Sequence, residues 1–136
     1  MIPDLTYAKF EWLTEDILKV SFSDHVPSAV EFENFLENLE SYLVRNEGLV
    51  LIFDELNENY LPGLLKMRLG NWIKEHKEGI RRTFVKWCFV INSPIVKFLL
   101  QGTFLIQKPP VAYTIHESVA EAIAEAKNSQ LALIGV

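Results

Sequence analysis

Apolar and polar positions alternate loosely from Tyr7 to Leu13, and a second apolar stretch runs through Ile17, Leu18, Val20 and Phe22. Alternation of period two puts one set of side chains on each face of a strand. Glu15-Asp16 between the two runs suits a hairpin turn. The period then changes. Ser28 and Glu31 stand at capping-box spacing, and Phe32, Phe35, Leu36, Leu39, Tyr42 and Leu43 follow at intervals of three and four. Glu33, Glu37 and Glu40 fall on the other side of that helix, and Asn46-Glu47-Gly48 ends it. Leu49 to Phe53 is a short continuous apolar run, which reads as a strand buried on both faces.

A polar loop, Asp54 to Asn59, leads to a second helix with Pro62 in its first turn and Leu61, Leu65, Leu69, Trp72 and Ile73 on its buried face. Thr83 to Ile91 is a strong strand. Ser93-Pro94 caps a third helix through Ile95, Val96, Leu99 and Leu100, which Pro109-Pro110 stops. Val111 to Ile115 is the last strand, and Val119, Ala122, Ile123 and Ala126 line a final helix. The expected order is ββαβαβαβα, an α/β fold with a mixed sheet of about five strands and about four helices.

Composition narrows the class. The chain has 136 residues, 49% apolar and 23% charged, which is globular and argues against disorder. No repeat or linker divides it, so one domain over 1–136 is expected. A single cysteine, Cys88, excludes an intramolecular disulfide and a multi-thiolate metal site. No apolar run approaches the ~18 residues that span a bilayer. The Met1-Ile2-Pro3-Asp4 start lacks the basic and apolar regions of a signal peptide. A bacterial-style cytoplasmic protein is the expectation.

The element order resembles the STAS superfamily, and within it the SpoIIAA-like branch of small bacterial proteins, which shares its architecture with CRAL-TRIO lipid carriers. The resemblance spans nearly the whole chain. It rests on the opening hairpin, on Leu49 to Asp54, on Trp72-Ile73-x-x-His76, on Arg82 to Asn92 and on Tyr113 to Ala126. It implies a non-catalytic regulatory or binding module, with a carrier of a small apolar ligand or lipid as the alternative. Classical antagonists of this fold carry a phosphorylated serine just after the third strand. Here Asp54 to Gly63 contains no Ser or Thr, so that switch does not carry over; its only hydroxyl is the phenol of Tyr60.

Candidate chemistry is sparse. Asp54, Glu55 and Glu58 could serve acid–base work or hold a cation, since ligands in open α/β sheets favour the carboxyl ends of strands. The plainer account, which carries more weight, makes Asp54 and Asn57 turn and cap residues. His25, His76 and His116 lie dozens of residues apart and give no metal-ligand spacing. His76, four after Trp72, is either a binding residue or a packed helix-end histidine; His116 falls at a helix start. Cys88 sits inside an apolar strand and reads as a buried structural thiol. No glycine motif for phosphate is present. Trp12, Trp72, Trp87 and Phe104 read mostly as core, although Trp72, Leu99, Leu100 and Phe104 would wall an apolar pocket in the carrier alternative. The candidate binding residues are therefore Asp54, Asn57, Trp72 and His76, with no catalytic residue, cofactor or metal expected.

Charge is the least random feature. Residues 1–61 hold 13 acids and 3 bases, whereas 62–108 hold 2 acids and 9 bases. Such blocks attract either within one molecule or between copies. The first is the plainer account, and overall acidity argues against nucleic acid. A protein partner or a homo-oligomer is the expectation, met by the helix face around residues 61–82.

Overall fold

The five apolar runs all form strands, and they line up in one sheet in the order of the sequence, β1-β2-β3-β4-β5. The computed structural model describes residues 7–23, 25–43, 48–54, 63–106 and 108–133. Its elements are β1 (Ala8–Trp12), β2 (Ile17–Phe22), α1 (Ala29–Ser41), β3 (Leu49–Asp54), α2 (Gly63–Glu75), α3 (Lys77–Thr83), β4 (Phe84–Val90), α4 (Pro94–Ile106), β5 (Ala112–His116) and α5 (Val119–Leu133). β1 and β2 form the antiparallel hairpin, and β2 through β5 run parallel.

Sequential parallel strands fix where the helices go. Each crossover steps the same way along the sheet, and crossovers of one hand lay their helices on one face. That face holds the larger core: Leu18, Val20 and Phe22 of β2, Leu49, Leu51 and Phe53 of β3, and Trp87 and Phe89 of β4, roofed by Phe32, Phe35, Leu36 and Leu39 of α1. Trp72 of α2 is buried in it, and Val96, Leu100 and Phe104 of α4 pack against it. The intervening residues Ile17, Val50, Ile52, Cys88 and Val90 point the other way, where Ala122 and Ala126 of α5 meet them. β3 is therefore buried along its whole length, which is why its sequence does not alternate. Alanine on α5 lets the helix lie close to the strands, and Lys86 of β4 bonds Glu125 across that contact.

Local signals match the elements they announce. Ser28 accepts from the Glu31 amide at 3.1 Å, and Glu31 accepts from the Ser28 amide at 2.8 Å. Gly48 enters β3 at φ 71°, a conformation that costs a residue with a Cβ. At the other end of α1, the Leu43 carbonyl accepts from Arg82 at 3.2 Å and from the buried Thr83 hydroxyl at 3.4 Å.

Four expectations shift. The second helix, expected as one piece with a face reaching to about residue 82, breaks at His76 and resumes as α3, giving five helices, close to the expected four. Only Ile80 and Thr83 of α3 are buried, and the charges of Lys77, Glu78, Arg81 and Arg82 hid so short an apolar signal. The fourth strand starts at Phe84 rather than Thr83. His116 ends β5 instead of starting a helix, because its carbonyl accepts from the Ile91 amide at 2.9 Å and extends the sheet. Trp12 is 42% exposed on the edge strand, its ring edge-on to Tyr42 at 5.7 Å, rather than in the core.

Candidate functional site

Of the expected binding residues, Trp72 and His76 lie on one face of the sheet and Asp54 on the other. Trp72 and His76 come together on the α1–α2 side. Their rings stack with centroids 4.5 Å apart. His76 Nδ1 lies 2.8 Å from the Trp72 carbonyl, which only accepts, so this nitrogen donates. Nε2 lies 3.4 Å from Glu40 of α1. The His76 amide also donates to Trp72, and its carbonyl receives the Ile80 amide. His76 is thus the joint between α2 and α3, held by Trp72 on one side and facing Glu40 on the other.

Asp54 sits elsewhere. Phe53 faces the larger core, so the alternation of β3 turns Asp54 to the α5 face, where its carboxylate lies 3.9 Å from Lys19 of β2. Lys19 also reaches Glu11 at 3.7 Å. Lys19 gives this aspartate an ion-pair partner within the sheet. Glu55, Asn57, Glu58, Tyr60, Leu61 and Pro62 lie outside the described residues, as does the side chain of Leu99. Of the other residues named for an apolar pocket, Phe104 packs on Tyr113 and Phe89 with centroids 4.6 and 5.7 Å apart, in the core.

The remaining candidates are engaged too. Burial pushes the Cys88 thiol up, and Thr114 donates to it at 3.6 Å. His25 bridges Ser23 at 2.7 Å and Glu31 at 3.0 Å. The backbone amide of Ser28, with His25, holds the Glu31 carboxyl below the usual range. Among the described residues, no three of His, Cys, Asp and Glu come close enough to hold a metal.

A pocket that sequence reasoning missed lies at the carboxyl ends of β4 and β5, where open α/β sheets usually bind ligands. It measures about 160 Å³ and is lined by Ile91, Asn92, Ser93, Pro94, Lys97, Ile115, His116 and Glu117. Two of its polar groups have internal work. Ser93 Oγ accepts from the Val96 amide at 3.3 Å, and His116 Nε2 is 2.8 Å from the Thr114 hydroxyl. The volume falls well below the ~300 Å³ at which small-molecule pockets begin. The Ser93-Pro94 cap and His116 were its only signals in the sequence. Nothing joined them until β4 and β5 paired.

The charge blocks meet within the chain. Arg68 of α2 donates to both oxygens of Glu33 on α1, at 2.6 and 3.0 Å, and lies 3.9 Å from Glu75. That fork holds the Glu33 carboxyl low and the guanidinium pKa high. The acidic and basic helices are thus joined side by side in one molecule through Arg68 and Glu33. Apolar side chains also stand exposed on the helical layer: Val30 (71%) on α1, Leu64 (80%) and Met67 (66%) on α2, and Ile95 (71%), Phe98 (73%) and Leu105 (87%) on α4.

No protein-family model matches the chain, and no curated protein does. Among solved structures, an uncharacterised protein of the DUF3478 family from Shewanella loihica PV-4, described as having a SpoIIAA-like fold, superposes with a TM-score of 0.59. The match covers 88% of this chain and 91% of that one at 13% identity. The fold is SpoIIAA-like. At that identity the likeness extends to the path of the SpoIIAA-like backbone and not to any site on it.

Proposed function

We propose that this SpoIIAA-like chain is a non-catalytic binding module whose contact surface is the outer face of α2 and α4. The observation that carries the reading is the exposure of Leu64, Met67, Ile95, Phe98 and Leu105 on one helical layer. On each helix these side chains repeat on one outward arc, Leu64 with Met67 and Ile95 with Phe98 and Leu105, and repeated exposed apolar side chains, unlike single ones, mark sites of association. The polar residues that an enzyme would recruit point the same way: Asp54, His25, His76 and His116 are tied to neighbours of their own chain. Relative to the face around residues 61–82 expected from sequence, the surface moves toward α4, since Arg68, Arg81 and Arg82 bond their own chain through Glu33, Pro110 and Leu43.

The test is proximity labelling in the cells that make the protein, comparing the native chain with a variant carrying Met67→Asp and Phe98→Asp. The native chain should mark a defined set of neighbours, and the variant should lose it while keeping its melting temperature. An unchanged set of neighbours refutes the reading. His76→Gln and Asp54→Asn should leave the set intact.

A further inference from the structure

β5 ends the sheet with one side of its backbone unsatisfied. The His116 carbonyl accepts from the Ile91 amide at 2.9 Å, and in a parallel ladder both polar groups of a residue turn to the same neighbour. Ala112, Thr114 and His116 therefore bond β4, and Tyr113 and Ile115 turn their N–H and C=O groups outward. Among the described residues no backbone pairs with that side. The helices leave it open. α5 lies over β3 and β4, where Ala122 and Ala126 meet Val50, Ile52 and Cys88, and α4 holds Tyr113 from the other face through Phe104. The two edges of the sheet differ. β1 carries exposed Lys9 and Glu11, the kind of charge that keeps an edge strand from pairing with other chains. β5 is Ala-Tyr-Thr-Ile-His, without Lys, Arg, Asp, Glu or Pro. Tyr113, Thr114 and Ile115 are of the aromatic and β-branched types that favour strands.

We propose that the β5 edge pairs antiparallel with β5 of a second copy, about a two-fold axis at Thr114, and joins the two sheets into one. That axis alone pairs the whole of Ala112–His116 with itself. Tyr113 then lies opposite Ile115 of the second copy, and the reverse, and each such pair exchanges both backbone hydrogen bonds. An aromatic ring facing a β-branched side chain is a favourable cross-strand pair. The contact is isologous, so it closes at the dimer and leaves the charged β1 edges outside. Charge supports it. Lys108 stands exposed before β5, and Glu117 and Glu121 stand exposed after it. Antiparallel pairing sets the Lys108 end of each copy beside the Glu117 end of the other. Lys97 lines the same pocket as Glu117 and offsets one carboxylate of that end, and Lys86 and Glu125 neutralise each other. A peptide of another protein has to bring both an uncharged strand and the opposite order of charges; a second copy turned end for end has both. The edge is separate from the α2 and α4 surface, so this dimer goes beyond the binding-module reading and does not depend on it.

Sedimentation velocity over a concentration series, with hydrogen exchange read amide by amide, tests the proposal on the whole chain. A reversible dimer should form, and the Tyr113 and Ile115 amides should gain protection as it does. Ile115→Pro removes an N–H that points outward, so the pairing of β5 with β4 keeps its hydrogen bonds. Each copy then loses one donor to the other, and the dissociation constant of the dimer should rise at least about tenfold. Thr114→Cys in a Cys88→Ala background gives a signal that does not depend on lost binding. Across the axis Thr114 faces its own copy in a non-hydrogen-bonded pair, with Cα atoms about 4.5 Å apart, a spacing that a disulfide spans. Mild oxidation should link the two copies there, and Lys9→Cys on β1 in the same background should stay unlinked. Met67→Asp with Phe98→Asp should leave the dimer intact. A chain that stays monomeric throughout the series overturns the proposal. So does a dimer whose Tyr113 and Ile115 amides exchange as fast as in the monomer, one that Thr114→Cys fails to link, or one that the Met67 and Phe98 substitutions abolish. Protection of those amides that needs a different protein assigns the edge to that protein and overturns it as well.

Discussion

Phe53 and Phe98 are the same side chain in opposite surroundings, and they give the fold a sharp energetic test. Phe53, in the central strand, is 7% exposed. Its ring stacks on Phe89 at 4.7 Å and on Phe22 at 6.4 Å, and meets Trp87 edge-on at 5.4 Å. Truncating a buried phenylalanine to alanine costs about 3–5 kcal/mol through lost transfer energy and the cavity left behind. Three aromatic neighbours, each worth about 0.5–1.5 kcal/mol beyond area, put Phe53→Ala in the upper half of that range, about 4 kcal/mol. Whole domains are stable by only about 5–15 kcal/mol, so this one change removes a large part of the total. In urea, with a slope of about 2 kcal/mol/M, the midpoint should fall by about 2 M. Phe53→Leu keeps most of the volume and loses the ring contacts, so it should cost about 1–2 kcal/mol. Phe98→Ala, at 73% exposure, should stay within about 0.5 kcal/mol of the native chain. The reasoning is refuted if Phe53→Ala and Phe98→Ala shift the midpoint by similar amounts.

Further outcomes follow from the polar contacts. A double-mutant cycle on Glu33→Gln and Arg68→Ala should give a coupling of about 0.5–1 kcal/mol, since the pair is bidentate but partly exposed, and it should shrink toward zero in 1 M salt, where screening reaches ~3 Å. Because the Glu31 carboxyl is held low, chiefly by the Ser28 amide, its stabilising effect is fully present above the unfolded value of about 4.3 and is lost as pH falls through the folded one. The stability gap between the native chain and Glu31→Gln, followed by urea unfolding across acid pH, should close in that window; a gap that widens on acidification contradicts the capping geometry. Burial raises the Cys88 thiol, so thiol reagents at pH 8 should label it at the rate of unfolding and promptly in denaturant. Prompt labelling of the folded protein would place that face of β4 in solvent.

Much of the architecture is local information. The apolar run of β3, the stripe of α1 and the Ser28–Glu31 box depend on neighbours along the chain, so periodicity and capping chemistry specified them before any packing was known. The crossover rule then set α1 to α4 on one face of a parallel sheet. What only tertiary structure decided concerns groups far apart in sequence. Asp54 reads as a loop carboxylate until β2 pairs with β3 and brings Lys19 beside it. His76 stands on an apolar stripe until α1 delivers Glu40 and the helix breaks there. The charge blocks allow attraction within or between molecules, and only the folded chain shows that Arg68 and Glu33 pair within one. α4 is the clearest case. Leucine, isoleucine and phenylalanine recur on every side of it, so the pattern names a helix but not its buried arc. Docking on the sheet used Val96, Leu100 and Phe104, and that choice alone left Ile95, Phe98 and Leu105 facing outward.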